Sequence, residues 1–163
     1  MNIEIRQAQI GDVTAVSSIL IEAANWLRER GIAMWRGDEV APERIAADVV
    51  RGEFFVAESG DEPAGTVKFQ LQDELFWPDA AADESAFIHR LAVRRMFAGG
   101  DVSGALLRWA AHRARSCGRR FLRLDCEASR PRLRAVYERF GFRYHSDRQI
   151  GPYLVARYEH ELQ

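Results

Sequence analysis

The chain has 163 residues, of which 47% are hydrophobic and 29% are charged, and its formal net charge at pH 7 is -1. This length and composition predict a single globular domain over residues 1–163 with a sizeable buried core. A net charge so close to zero gives no global field that would favour nucleic acid or an anionic membrane. Two cysteines without CxxC spacing, no apolar run of roughly 18 residues and no signal-like N-terminus predict a cytoplasmic protein with reduced thiols.

The first half of the chain predicts a strand, two helices and a hairpin. Apolar side chains recur at helical spacing from Val13 to Leu27, and Gly31 ends that helix. The alternating positions and the turn residues at 59–63 indicate strands on either side of a tight connection. The predicted elements are a strand at 3–5, a helix at 13–27, a short helix at 42–50, and strands at 54–58 and 66–72.

The second half predicts four more strands, with a helix after each of the first two. Residues 73–84 are acidic, carry Trp77-Pro78 and predict a surface loop. The order along the whole chain is β-α-α-β-β-β-α-β-α-β-β, which favours an α/β layer protein with a mixed sheet. The predicted elements are strands at 87–93 and 122–126, helices from 102 and from 133 to 140, and terminal strands at 142–147 and 152–160.

The most informative segment is the loop between the strand at 87–93 and the helix that starts near Val102. Gly99 and Gly100 lie just ahead of this helix. Glycines at that point let backbone N–H groups converge, and the positive end of the helix dipole adds to their field. The segment therefore predicts a phosphate-bearing ligand that is held mainly by the main chain.

Three segments resemble the GCN5-related N-acetyltransferase (GNAT) family: His89–Val93, the glycine loop with its helix through Ala111, and Ala135–Phe142. The resemblance implies a mixed, mostly antiparallel central sheet flanked by helices on both faces. It implies binding of acetyl-CoA in an opening between the strand that ends near Val93 and the strand that ends near Cys126. It also implies direct transfer of the acetyl group, in a ternary complex, to an amine of a small molecule or a protein.

The coenzyme contacts implied by the resemblance lie at the strand end, in the loop and at the helix start. They are Leu91, Ala92, Val93, Arg94, Arg95, Ala98, Gly99, Gly100, Asp101, Val102, Ser103 and Gly104, together with Arg130.

The loop departs from the family pattern, which has Arg or Gln, two free positions, Gly, one free position and then Gly or Ala. Ala98, Asp101 and Ser103 occupy those three defined positions here. The Asp101 carboxylate is expected to cap the helix and to repel an anion, since both use the same N–H donors.

Three arginines bear on this departure. Arg94 and Arg95 are candidates to compensate for Asp101 as phosphate partners. Arg130 stands where the family often has asparagine, and it cannot accept a hydrogen bond as asparagine does. We expect it either to reach a phosphate or to point to solvent.

The resemblance assigns Tyr137 as the proton donor to the coenzyme thiolate. The alternative is a core tyrosine, because Tyr137 shares a helical stripe with Leu133 and Phe140. His89 is the candidate general base, since histidine changes protonation near neutral pH. A core histidine is its alternative reading, and Asp125 and Glu127 are alternative bases.

The acceptor candidates are Trp26, Met34 and Trp35, with Trp77 as a further aromatic, because early segments usually line the acceptor site in the family. Packing in the core or in a homodimer is the alternative. No His/Cys group has metal-ligand spacing, so we predict no metal. The competing function is a non-catalytic domain of the same fold that binds an acyl-CoA or a partner protein.

Overall fold

The computed structural model describes residues 2–163. Its strands are β1 (Ile3–Gln7), β2 (Phe54–Ser59), β3 (Glu62–Gln70), β4 (Ser85–Val93), β5 (Phe121–Glu127), β6 (Arg143–Ile150) and β7 (Tyr153–Glu161). They form a seven-stranded sheet in the order β1-β2-β3-β4-β5-β7-β6. The sheet is mostly antiparallel, and β4 and β5 pair in parallel.

The helices that flank the sheet are α1 (Val13–Arg28), α2 (Gly37–Val40), α3 (Pro42–Val50), α4 (Val102–Ser116) and α5 (Pro131–Phe140). The predicted fold class and order of elements are confirmed, and the structure adds α2, a single turn that the sequence pattern did not indicate. Within residues 2–163, no helix is long and apolar enough to cross a membrane.

Contacts divide the chain into two compact units. The first unit comprises the residues up to Lys68 together with Arg90–Leu106, and the second comprises Phe69–His89 with Leu107–Gln163. The core of the first unit lies between the predicted apolar stripe of α1, the short helices α2 and α3, and strand β2. Its buried members are Ala8, Val13, Val16, Ile19, Leu20, Val40, Ile45, Val49, Phe54, Val56 and Ala92.

The second unit is built around β7, which pairs antiparallel with β5 on one side and with β6 on the other. The prediction of a surface loop at 73–84 is wrong at Trp77, whose side chain is only 3% exposed. The guanidinium carbons of Arg123 and Arg157 lie 4.7 and 4.5 Å from the centroid of its ring. Two cations stacked on the indole, with aromatic neighbours such as Phe87, make Trp77 a packing residue.

A glycine fixes how closely the first turn of α4 approaches the sheet in the first unit. A Cβ atom added to Gly65 of β3 would lie 2.9 Å from the Ala92 carbonyl oxygen and 2.9 Å from Cγ1 of Val102. The backbone carbonyl of β4 cannot move without disturbing the strand. Gly65 therefore determines the position of the helix start that follows the glycine loop.

We predict that Gly65→Ala lowers the free energy of unfolding by about 1–3 kcal/mol, because the added methyl group has no space in a packed interior. Urea unfolding followed by circular dichroism measures the change. Gly11→Ala is the matched control, since a Cβ atom there meets nothing within 4 Å. Equal stability of both variants would contradict this account of the close approach.

Candidate active site

The site in the second unit begins where the parallel pairing of β4 with β5 ends. The ladder joins Ser85, Ala86 and Phe87 to Phe121, Leu122 and Arg123. His89 and Asp125 each lie two residues beyond the last pair, so strand alternation places both on the same face. Nδ1 of His89 is 3.5 Å from Oδ1 of Asp125. The structure thus brings together the predicted base and one of its alternatives.

A residue that the sequence analysis missed completes this group. Oδ2 of Asp73, in the loop after β3, lies 2.8 Å from Nε2 of His89. Oδ1 of the same carboxylate accepts the backbone N–H of Phe76 at 3.0 Å. The side chains of Asp73, His89 and Asp125 are only 5%, 16% and 9% exposed. No periodic pattern in the sequence marks Asp73, because it lies in an irregular loop.

This group also contains ligand types that zinc uses. Among residues 2–163, Asp73, His89 and Asp125 are the potential metal-ligating side chains that come together, with ligand atoms within 4.8 Å of one another. The 2.8 Å contact between Asp73 and His89 is a charge-assisted hydrogen bond when the carboxylate is ionised. The arrangement can therefore hold and pass a proton without any further group.

Tyr137 is buried on α5, and its ring packs edge-on against Phe142 with centroids 5.9 Å apart. Burial raises the pKa of Tyr137 well above its ordinary value, and the neighbouring acidic groups of Cys126 and Asp125 add to the rise. The phenol therefore keeps its proton at neutral pH. Such a group can donate a hydrogen bond to an anion, and it cannot serve as a base.

Cys126 lies beside Asp125 on β5 and is buried. Burial, with a smaller contribution from the Asp125 carboxylate, raises the pKa of the Cys126 thiol to about 11. A thiol with this pKa stays protonated at neutral pH and is a poor nucleophile. In this environment Cys126 serves as a small core residue.

Arg130 is the residue immediately before α5, and its backbone N–H donates to the Glu127 carbonyl oxygen at 3.2 Å. Its side chain is half-buried. The positive charge of Arg130 opposes the rise in the pKa of Tyr137. The charge of Arg130 therefore acts on the proposed proton donor, and it also opposes the rise in the pKa of Cys126.

The predicted phosphate loop belongs to the first unit. A short 3-10 turn at Arg95–Phe97 follows β4, Gly99 has a φ of +83°, and α4 starts at Val102. Asp101 is exposed just before the helix, and its carbonyl oxygen accepts the Ala105 N–H at 2.9 Å. The first N–H groups of a helix have no partner within it. This loop therefore presents main-chain donors next to one carboxylate.

Arg94 and Arg95, the expected phosphate partners, have partners within the first unit. Nε of Arg94 donates to the Pro63 carbonyl oxygen at 3.1 Å. The guanidinium of Arg95 stacks 3.8 Å from the ring centroid of Trp26, and its backbone N–H donates to Glu22 at 2.8 Å. Both side chains brace the strand end and the loop against neighbouring elements.

The acceptor candidates do not share one environment. Trp26 lies on α1, and the guanidinium groups of Arg95 and Arg30 stack on its ring. Trp35 packs against the core of the first unit, and its ring centroid lies 5.2 Å from the guanidinium carbon of Arg90. Met34 is half-buried beside Trp35 in the chain. The structure thus separates the two tryptophans that the sequence analysis grouped.

Arg90 is a second residue that the sequence analysis left out. It has a φ of +56° within β4, which is unusual for a residue with a side chain. Burial lowers the pKa of its guanidinium, and Glu39, at 3.5 Å, opposes this shift. Backbone strain of this kind is common at functional positions. At Arg90 it interrupts the alternation of side chains along β4, directly after His89.

The chain belongs to the acetyltransferase (GNAT) family, whose sequence pattern matches residues 20–142. The protein of Bacillus subtilis (strain 168) named "Uncharacterized N-acetyltransferase YesJ" is 30% identical over 154 residues, which are 90% of this chain and 84% of that protein. The resemblance inferred from the three sequence segments is thereby confirmed.

Solved structures support the same family. A GNAT-family acetyltransferase from Listeria monocytogenes 4b F2365 superimposes with a TM-score of 0.78 at 25% identity and covers 96% of this chain and 94% of its own. The PaiA N-acetyltransferase of Thermoplasma acidophilum, solved in complex with coenzyme A, has a TM-score of 0.77 at 19% identity and covers 96% of this chain and 98% of its own. The latter similarity is one of fold.

We predict that at about pH 8 a thiol reagent modifies the half-buried Cys117 and leaves Cys126 unreacted until the protein unfolds. The reason is that the thiolate is the reactive form, and the pKa of Cys126 is about 11. Mass spectrometry of the labelled native protein locates the adduct, with Cys117→Ser as the control. Fast modification of Cys126 in the native control would refute its burial.

Proposed function

We propose that this chain is an acetyl-CoA-dependent N-acetyltransferase, with one acetyltransferase domain over residues 1–163, that acts on an amine of a small molecule or a peptide. The observation that carries the proposal is the placement of His89 at the end of the β4–β5 ladder, between the Asp73 and Asp125 carboxylates. Membership of the GNAT family and the coenzyme A complex of PaiA support the choice of co-substrate.

The loop of the first unit suits a diphosphate. Its shape is set by the backbone of Gly99, with φ of +83°, and by the close approach of the Val102 side chain to Gly65. Main-chain N–H groups at the start of α4 and the adjoining strand residues Leu91, Ala92 and Val93 are the proposed coenzyme contacts. Bound acetyl-CoA supplies the acetyl group as a thioester.

The residues of the second unit are proposed to move the protons. His89 takes a proton from the acceptor's ammonium group, directly or through water, so that the nitrogen has a lone pair for attack on the carbonyl carbon. Tyr137 donates a hydrogen bond or a proton to the departing sulfur. The nitrogen loses two protons in all, of which one ends on sulfur and the other in solvent.

The high pKa of Tyr137 decides how it acts. A phenol whose pKa is raised further above that of a thiol is a weak proton donor to a thiolate. Its hydrogen bond nevertheless stabilises the sulfur anion as the carbon–sulfur bond breaks. Solvent can then deliver the proton that completes the thiol.

The acceptor is proposed to meet the first unit at Met34 and Trp35. Trp35 presents a half-buried aromatic ring with the guanidinium of Arg90 beside it, and a carboxylate oxygen of Glu39 lies 3.5 Å from that guanidinium. An aromatic wall suits an amine that is carried on an apolar or flat body. We keep Trp26 as a weaker candidate, because cations already stack on its ring.

The test of this function is thiol release from acetyl-CoA in the presence of a panel of amines, with and without EDTA. We expect turnover of at least one amine, and no loss with the chelator, since no metal is part of the proposal. Saturable coenzyme binding without turnover of any amine would favour the non-catalytic alternative, and loss of turnover in EDTA would refute the metal-free mechanism.

We predict that Tyr137→Phe lowers kcat by about 10²-fold, because the hydrogen bond to the departing sulfur is lost. The ring and its packing against Phe142 remain, so the melting temperature is expected to change little. Steady-state kinetics with the best amine measures the effect, and Tyr153→Phe, at a side chain that is 53% exposed, is the control. Unchanged turnover would remove Tyr137 from its role.

We predict that Asp101→Gly tightens coenzyme A binding by about twofold to fivefold, because a like charge next to the helix N-terminus is removed. Isothermal titration calorimetry measures the dissociation constant. Asp101→Asn keeps a capping side chain while removing the charge, and Asp61→Asn removes a charge from the turn between β2 and β3. Weaker binding in both Asp101 variants would show that the carboxylate supports the loop.

A further inference from the structure

The function proposed above leaves open which nitrogen of His89 takes the proton. We propose that Asp73 is a positioning residue that fixes the proton of neutral His89 on Nε2, so that Nδ1 is the basic atom and Asp125 faces the imidazolium that forms. This inference rests on the proposed function. It concerns a loop residue outside the sequence motifs of the chain.

The first step is the orientation of Asp73 itself. One carboxylate oxygen accepts the Phe76 N–H at 3.0 Å, and the other lies 2.8 Å from Nε2 of His89. The side chain is 5% exposed, so water competes little for either oxygen. A short loop turn and the imidazole thus hold the carboxylate at two points.

The second step is the position of the proton. An ionised carboxylate only accepts hydrogen bonds, so the 2.8 Å contact requires Nε2 of His89 to be the donor. In a neutral imidazole the other nitrogen then carries the lone pair. The ring of Phe76 packs on the imidazole with centroids 5.4 Å apart, and this contact resists a rotation of the imidazole that would take Nε2 away from Asp73. Nδ1 is therefore the atom that can accept a proton.

The third step is the fate of the positive charge. Oδ1 of Asp125 is 3.5 Å from Nδ1, which is longer than the usual N–H···O distance. This spacing provides electrostatic attraction to an imidazolium without a short hydrogen bond that would occupy Nδ1 beforehand. Asp125 also contributes to the raised pKa of Tyr137, so one carboxylate influences both proton-handling groups.

Asp73→Asn tests the assignment sharply. The Phe76 N–H is a donor, so the asparagine must turn its carbonyl oxygen toward Phe76 and its NH₂ group toward His89. Nε2 then has to accept, and the proton moves to Nδ1. The variant preserves shape and both hydrogen bonds while it inverts the tautomer.

The experiment is long-range ¹H–¹⁵N NMR of histidine-labelled protein without substrates, with the His89 signals assigned from His89→Gln. We expect the Nε2–H tautomer in the wild type and the Nδ1–H tautomer in Asp73→Asn. We also expect kcat to fall by about 10²-fold or more in the variant, with an unchanged dissociation constant for coenzyme A. Asp83→Asn, in the same loop with a side chain that is 86% exposed, is the control for both readouts.

A second variant separates the two carboxylates. Asp125→Asn leaves Asp73 in place, so the Nε2–H tautomer is expected to persist while kcat falls. A wild type with the proton on Nδ1 overturns the proposal, even if Asp73→Asn fails to fold. Full activity in a tautomer-inverted Asp73→Asn overturns it as well. If the wild type acetylates no amine, the proposed function fails, and the NMR measurement still decides where the proton resides.

Discussion

The parallel pairing of β4 with β5 is the constraint on which the site depends. A parallel ladder keeps residues at equal distances from a paired position level with each other, so its register places His89 opposite Asp125. The same strand β5 leads through Glu127 into α5, which carries Tyr137. One short ladder thereby determines both the proposed base and the proposed donor, and an antiparallel β5 would send its carboxyl end away from them.

Burial has two separate effects on the side chains around this ladder. It keeps Tyr137 and Cys126 protonated, because the loss of solvation disfavours their anions more than nearby arginines such as Arg130 favour them. It also makes the arrangement around His89 specific, since a hydrogen bond shielded from water is stronger than an exposed one. A solvated site with the same residue types would not fix the imidazole in one tautomer.

Most helices and strands could be predicted from the sequence, because their apolar residues recur at helical or strand spacing. Apolar spacing predicted α1 and α5, the predicted start of α3 at residue 42 is confirmed, and Gly141, with φ of +121°, follows the predicted end of α5 at residue 140. His89 and Asp125 were each visible as candidates, and only the parallel register joined them. Strand register is a property of the sheet, which single-strand patterns do not contain.

Asp73 and Trp77 were beyond the sequence signal for a physical reason. Both lie in an irregular loop, where neighbouring acidic residues resemble a solvated surface. Trp77 is buried because arginines from β5 and β7 stack on it, and Asp73 is buried because His89 and Phe76 bind its oxygens. His89 and the two arginines are 16 residues or more from these loop residues along the chain, so they leave no local pattern.

The arginines near the glycine loop limit which groups are available to the proposed coenzyme. Arg94 and Arg95 already contact Pro63, Glu22 and Trp26, and moving either to a phosphate would break those contacts. A diphosphate at this loop would therefore depend chiefly on main-chain donors, whose positions follow from the close approach that Gly65 permits. In the proposed site, affinity for the coenzyme would then come from backbone shape and would be opposed by one carboxylate, Asp101. This accounts for how a loop without the family's side chains can still suit the family's ligand.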